Sequence, residues 1–432
     1  MIVTNSENKM RYDYDTYKLY LLNPGCKGSA RVKVTMKEPV NPDILRSSIN
    51  VAIKRYPYFA VRLSVDSSGG FVLLPNALPV VLVETSDDML MLGSSSTNDH
   101  LLFVDYREKN IYFNISHSLA GARGYMPWVF TTVYEYVREC FGVEVDAPEI
   151  NKPESPLLPG ECDIPTKELI MTKQPVPDGY RGHGGLVLFE DIFNEYLNPF
   201  KRSYEYRTYQ FEEGPVLNYA GVNKTTVAGV FIMLMAKALD NVIPDKVTPL
   251  CGGILHNPLA KWGIPNAHSD VSTHVCIDYD RSMIRGNVLK MGEYTSKQLK
   301  DQTNPNYTKS LFCRNLDLIE MIDRAEGLNQ KRMCAGMGIR SVLPATAMTY
   351  VVSYGGIIHL GGLKDYVDSY YNLIEGNMTL TLTAMEGRIF ASFIQNIREE
   401  KYVTALNEVF DKAGFTYSMH GPFRQHLAMH DI

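Results

Sequence analysis

Residues 111–140 read IYFNISHSLAGARGYMPWVFTTVYEYVREC. Ile111, Phe113 and Ile115 alternate with Tyr112, Asn114 and Ser116, the period-two pattern of a strand with one buried face. From Tyr125 onward Val129, Val133, Tyr136, Val137 and Cys140 recur at helical spacing. Between the two, SLAGARG breaks the strand, and Gly121 and Gly124 supply the freedom to turn. The unit is therefore a strand, a loop headed by His117, and a helix. A histidine at a strand end combines a rigid backbone with a side chain that exchanges protons near neutral pH, which suits a general base. By spacing alone, a structural histidine is the commoner outcome.

Upstream, residues 17–22 and 30–36 are strand candidates on either side of the turn-forming NPGCKGS. A helix follows: Asn41 can cap it, Pro42 takes its first position, and Leu45, Ile49, Ala52 and Ile53 form one apolar face before Pro57 forbids continuation. Residues 59–65 and 71–74, joined by DSSGG, read as a hairpin. Downstream, residues 146–185 carry seven prolines among glycines and charges and read as an extended connection between two halves. The expected division is 1–165, a crossover over 166–203, and 204–432.

The second half restarts with strand-like residues 187–193 and 204–211. The Thr225-Thr226 cap opens a helix, VAGVFIMLMAKAL, apolar nearly all round and so expected to be buried. Residues 311–326 predict an amphipathic helix closed by Gly327, residues 378–385 and 389–395 a hairpin about Glu386-Gly387, and residues 399–413 a helix ended by Gly414. No short period repeats, which argues against solenoids and propellers.

The 432 residues are 45% hydrophobic and 21% charged, ordinary for a folded chain, and the net charge of -5 lacks the basic excess that nucleic-acid binding needs. Seven cysteines, odd in number and without a C-x-x-C pair, favour a reducing compartment and no zinc knuckle. The N-terminus lacks an apolar signal segment, and the longest helical apolar run, 227–236, is too short to span a bilayer, so the expected location is cytoplasmic with no membrane span. G-x-S-x-G, the nucleotide P-loop and H-E-x-x-H are all missing. His183 and His256 read as turn residues, His359 as a strand end, and His420, His426 and His430 as a polar tail.

The run HSLAGARG resembles the His-x-x-x-Asp-Gly signature of the chloramphenicol-acetyltransferase-like superfamily, above all its alcohol acetyltransferase and nonribosomal-peptide condensation-domain branches. His117 falls on the catalytic histidine, Gly121 where the family has Asp, and Ala122 where it has Gly. The block VKVTMKEPVNPDILRSSINVAIKRYPYFAVRL is similar to the opening of those domains, with Arg55, Tyr56 and Pro57 at the Arg-x-Pro corner. In TPLCGGILHNPLAKW, residues 248–262, only Asn257 of the Pro-Val-Asn-Leu-Arg-like turn is kept. In residues 349–375, Ser353 and Gly356 match the Ser-Asn-x-Gly segment, with Tyr354 in place of Asn.

The resemblance implies an α/β fold of two similar halves, each a mixed sheet flanked by helices, with a channel between them. It implies acyl transfer from a thioester, acyl-CoA or the phosphopantetheine of an acyl carrier protein, to an alcohol or amine, with no bound cofactor and no metal. His117 would be the base. The backbone N–H groups around Ser118, Gly121 and Arg123, and the Ser353–Tyr354–Gly356 segment, would hold the substrate and its oxyanion.

In the family the motif's Asp is structural and pairs with an Arg of the second half. Here that Arg position falls on Leu259 or Ala260, so both charges are lost together and no orphan remains. The expectation is an apolar or water-filled contact between Gly121 and residues 254–262, with Gly121 taking a positive φ in place of the missing motif glycine. The rival expectation is a non-catalytic condensation-domain-like protein that binds an acyl ligand or carrier protein. An interaction scaffold is the third.

Overall fold

The computed structural model describes residues 18–22, 28–86, 90–171, 205–245, 248–342, 348–374, 376, 378–395, 399–424 and 428–431. The strand expected over 187–193, most of the crossover, His183 and His426 lie outside them. The described residues open with a single helical turn, α1 (Lys18–Leu21), followed by strand β1 (Ser29–Met36) and helix α2 (Pro42–Ala52). The Asn41 side chain caps α2 by accepting from the N–H groups of Asp43 and Ile44, and Leu45, Ile49 and Ala52 are buried beneath it. The hairpin β2 (Val61–Val65) and β3 (Phe71–Pro75) forms as the DSSGG turn demands. Next come β4 (Leu82–Glu84), β5 (Met91–Leu92), β6 (Leu102–Arg107), β7 (Asn110–Ser116) and the long helix α3 (Ala122–Phe141), which Gly142 closes in a left-handed conformation.

The second half contributes β8 (Glu205–Glu212), the largely buried helix Val227–Asp240 capped by Thr226, β9 (Leu250–His256) and β10 (Thr273–Tyr279). After the helices Val288–Gln302, Pro305–Arg324 and Gly327–Val342 come β11 (Tyr350–Ile358), β12 (Val367–Ile374), β13 (Thr379–Met385) and β14 (Arg388–Gln395). Helix Glu400–Lys412, β15 (Tyr417–Arg424) and β16 (Met429–His430) complete the described chain. Glu386 and Gly387 both take positive φ at the β13–β14 turn, the conformation that suits a two-residue hairpin.

These strands build two mixed sheets, flanked by helices, in an α/β architecture. One runs β12–β1–β7–β6–β4 and the other β10–β9–β11–β13–β14–β8–β15. The apolar faces of β1 and β7 (Val32, Val34, Phe113, Ile115) pack with Leu45 and Ile49 of α2 and Trp128, Val129 and Val133 of α3. The second core sets Phe231, Ile232 and Leu234 against Leu380, Leu382 and Phe393 of the seven-stranded sheet. Strand β12, late in the sequence, pairs antiparallel with β1, Ala30 opposite Ile374, and so completes the first sheet from the second half of the chain.

Four expectations change. The described part of residues 17–22 is the helical turn α1, because Leu19 and Leu22, three apart, are buried together in one apolar cluster. The helix expected over 311–326 starts earlier, at Pro305 behind the Asn304 cap, and ends at Arg324. Gly327 opens the next helix instead of closing this one, with its N–H on the Ser68 carbonyl of the DSSGG turn. His420 and His430 do not lie in a polar tail: β15 joins the second sheet and β16 pairs with β5. Among the described residues no single helix is long and apolar enough to cross a membrane. The helices Glu213–Val222 and Val227–Asp240 pass such a test only as a pair bent by 84°, and the second of them is core.

Candidate active site

The end of β7 fixes His117 through main-chain bonds. Its N–H donates to the Gly28 carbonyl at 3.1 Å beside the start of β1, and Leu119 N–H returns to the Ser116 carbonyl at 3.0 Å. Ser116 organises the turn: its Oγ accepts from Ser118 N–H at 3.2 Å, lies 2.7 Å from Ser118 Oγ and 2.8 Å from His430 Nε2. The N–H groups of Ser118 and Leu119 are thus already engaged. His430, from β16, is buried against this loop.

His117 is partly exposed, and its buried Nδ1 makes no hydrogen bond among the described residues. Burial, reinforced by the nearby Lys18 ammonium and His430, lowers its pKa to about 4, against the opposing pull of Asp270 and the Ala120 backbone. The Tyr125 ring of α3 lies 6.5 Å away, with its hydroxyl donating to Asn372 Oδ1 of β12 at 2.9 Å. The surroundings of His117 are polar and charged.

Gly121 is the N-cap of α3, with φ -83° and ψ 179°, extended backbone open to any residue. The expected positive φ is therefore absent, and space decides the glycine instead. A Cβ at 121 would stand 2.5 Å from Oδ1 of Asp270. At Gly124 a Cβ would collide with the main-chain carbonyl of His268. The segment before β10 presses on the first turn of α3, and both glycines make room for it.

The neighbour of Gly121 is Asp270, outside residues 254–262, so a carboxylate stands where an apolar or water-filled contact with that stretch was expected. Asp270 is buried, Lys18 Nζ donates to its Oδ2 at 3.3 Å, and the Ser272 hydroxyl donates to its Oδ1. Burial would raise the Asp270 pKa, but Lys18, His117 and Ser272 outweigh it and hold the group below the usual carboxylate value. Leu259, by contrast, is buried in an apolar cluster with Trp262 and Phe312, and Leu259 N–H donates to Asn257 Oδ1 at 3.0 Å.

The Arg-x-Pro corner holds that same segment. Arg55 makes two 2.8 Å hydrogen bonds to the Glu161 carboxylate, which also accepts from Tyr58 Oη at 2.6 Å and Leu158 N–H at 2.8 Å. The main-chain carbonyl of Glu161 accepts from His268 N–H at 3.1 Å and lies 2.8 Å from His268 Nδ1, while the His268 ring stacks 4.0 Å from Tyr58. Arg123 adds a bond from Nη2 to the Pro265 carbonyl at 3.1 Å.

Of the residues singled out in the sequence, His117, Ser118, Gly121 and Arg123 share this loop. Ser353, Tyr354 and Gly356 lie on β11, where Gly356 takes φ +87° at a break in register with β13. Among the described residues no hydrogen bond joins these three to His117. Sequence reading missed Lys18, Asp270, Ser272, His274 and His430. One signal was available: Thr273, Val275, Ile277 and Tyr279 alternate with His274, Cys276 and Asp278, a strand pattern that places SDVS at its entrance. Burial lowers the His274 pKa to about 4, helped by Lys18 and opposed by Asp270. Among the described residues no His, Cys, Asp and Glu side chains gather into a metal-binding group.

No family model matches the sequence, and no curated protein matches it. Solved structures do. The first condensation domain of the CDA synthetase superposes with a TM-score of 0.57 at 12% identity, over 93% of this chain and 94% of that one. Polyketide synthase associated protein 5 from Mycobacterium tuberculosis gives 0.55 at 10% identity, over 92% and 94%. F. graminearum TRI101, complexed with coenzyme A and deoxynivalenol, gives 0.54 at 11% identity, over 94% and 98%. At such identities the likeness is one of fold, and it extends over nearly the whole length of each chain.

Proposed function

On the fold shared with condensation domains and TRI101, we propose that this protein transfers an acyl group from a thioester to an alcohol or amine, with His117 as general base. The thioester is acyl-CoA or the phosphopantetheine of a carrier protein. The observation that carries the reading is the state of His117. It is neutral at physiological pH, is held by main-chain bonds, keeps some exposure, and has a buried Nδ1 that makes no hydrogen bond among the described residues. A neutral imidazole can accept the acceptor's proton as its oxygen or nitrogen attacks the thioester carbonyl. The proton then passes to the departing thiolate, so no metal or bound cofactor is needed. Donor and acceptor would reach His117 through a channel between the halves, and Ser353, Tyr354 and Gly356 would line its far wall.

One observation favours a second reading. A histidine that protonates only near pH 4 is a weak base at neutral pH, which fits a chain that keeps the acyl-binding site without turnover. The experiment separates the two. Incubation with acyl-CoA and a panel of alcohols and amines should release CoA thiol only when acceptor is present. His117→Ala should lower that rate ~10²-fold or more with little change in melting temperature. A folded His117→Ala variant of unchanged rate removes His117 from the chemistry. Thioester binding without turnover, from coenzyme A or a carrier, supports the binding protein instead.

A further inference from the structure

We propose that Asp270, with Lys18 as counter-ion, is the positioning carboxylate of the His117 loop, delivered across the fold into the space that Gly121 leaves open. The proposal rests on the acyl-transfer reading for its catalytic consequence and on geometry for the rest. A carboxylate on residue 121 itself would meet Asp270, since even a Cβ there stands 2.5 Å from Oδ1. The two positions are alternative origins for one negative charge at one place, the N-terminus of α3. Gly121 caps that helix without a side chain. The Asp270 carboxylate lies beside that cap instead, at the helix end whose dipole favours an anion.

The cation is relocated as well. The stretch 254–262, on which the Arg position of the resembled motif falls, carries buried Leu259 and no cation there. Lys18 of α1 reaches Asp270 at 3.3 Å, and the Ser272 hydroxyl satisfies the other oxygen. A buried carboxylate left without a cation would be costly, so the two substitutions belong together.

The move has a chemical consequence. The charged and titratable groups that act on His117 are Lys18 from α1, Asp270 from the segment before β10 and His430 from β16, with the Tyr125 ring of α3 6.5 Å away, and His274 of β10 feels the same Lys18–Asp270 pair. Lys18 and Asp270 act on the imidazole in opposite senses: the ammonium opposes its protonation and the carboxylate favours it. When His117 takes the acceptor's proton, the imidazolium forms beside Asp270. When the C–S bond breaks, that proton leaves with the thiolate, and the carboxylate is unchanged. Asp270 would thus hold the loop and lower the energy of the charged histidine without exchanging a proton itself.

The test uses the full chain with isotope-labelled histidine, reading the titration of His117 by NMR, its signal identified by loss in His117→Gln. Asp270→Asn should move the midpoint down, Lys18→Met should move it up, and the double variant should lie between. In the same variants Asp270→Asn should lower kcat/KM for acyl transfer ~10-fold or more, the scale of a misplaced reacting group, and shift its acidic limb with the NMR midpoint. A His117 midpoint unmoved in folded Asp270→Asn and Lys18→Met proteins overturns the proposal. If Asp270→Asn does not fold, Lys18→Met alone decides. If the wild-type chain transfers no acyl group, the transfer reading falls while the NMR midpoints still judge the Lys18–Asp270 pair.

Discussion

At Gly121 a missing side chain is explained by another residue's carboxylate. Gly121→Asp puts a second carboxylate against Asp270 within a buried space that has room for one. The expected cost is ~3 kcal/mol or more of unfolding free energy, the order for an uncompensated buried charge, measured by urea denaturation. Gly121→Asp combined with Asp270→Gly should recover much of it, because the charge is then offered to Lys18 from the other side. A Gly121→Asp protein as stable as the wild type would show that the two positions are not in contact. The loop itself was legible in the sequence, since strand alternation, two glycines and a helical repeat all bear on neighbouring residues. What fills the place of the missing Asp was not. Lys18, Gly121 and Asp270 are far apart in the chain, and no local periodicity records that they meet. His430 was misread for the same reason: a polar ending says nothing of the buried Ser116 that receives it.

The elements that hold the site are a corner and a long segment clamped together. Arg55, in the 3-10 turn that follows α2, and Glu161, in the proline-rich connection, form a buried two-bond ion pair that also ties down His268 through the Glu161 carbonyl. Arg55→Met should cost ~3–5 kcal/mol, because Glu161 is left buried without its cation, and Arg55→Met with Glu161→Gln should cost less than the sum of the single changes. Chemical denaturation of the four proteins checks this, and strictly additive losses would show that the pair is not coupled. Elements with strong local punctuation were readable in advance: the Asn41-Pro42 start of α2, the Thr226 cap and the Glu386-Gly387 turn each satisfy main-chain groups within a few residues. The clamp was only half readable. Arg55 stood out at its corner, whereas Glu161 looked like one charge among many in a stretch with no periodicity.

Across the whole molecule, protons and topology set the limits. Burial is the largest cause that lowers His117, His256 and His274, each to about 4. In the unfolded chain a histidine titrates near ~6.5, so between ~6.5 and ~4 the unfolded state binds protons that the folded state refuses. Stability should therefore fall as pH drops through that window, by at most ~1.4 kcal/mol per pH unit for each histidine, an upper bound because all three rings keep some water contact. Urea midpoints from pH 7 to pH 4.5 should show the decline, and His256→Gln should flatten it; a level profile would contradict neutral buried histidines. The pairing of β12 with β1 has a separate outcome. Were the backbone severed in the proline-rich connection, the first fragment would expose the main-chain donors and acceptors of residues 30–36 along a bare edge, a template for any passing strand. The other fragment would carry a strand belonging to no sheet of its own, and with it the β16 segment that pairs with Met91 and Leu92. Neither piece could finish itself. The two parts of the chain are laced together, so a nick would yield fragments that must re-associate to become whole.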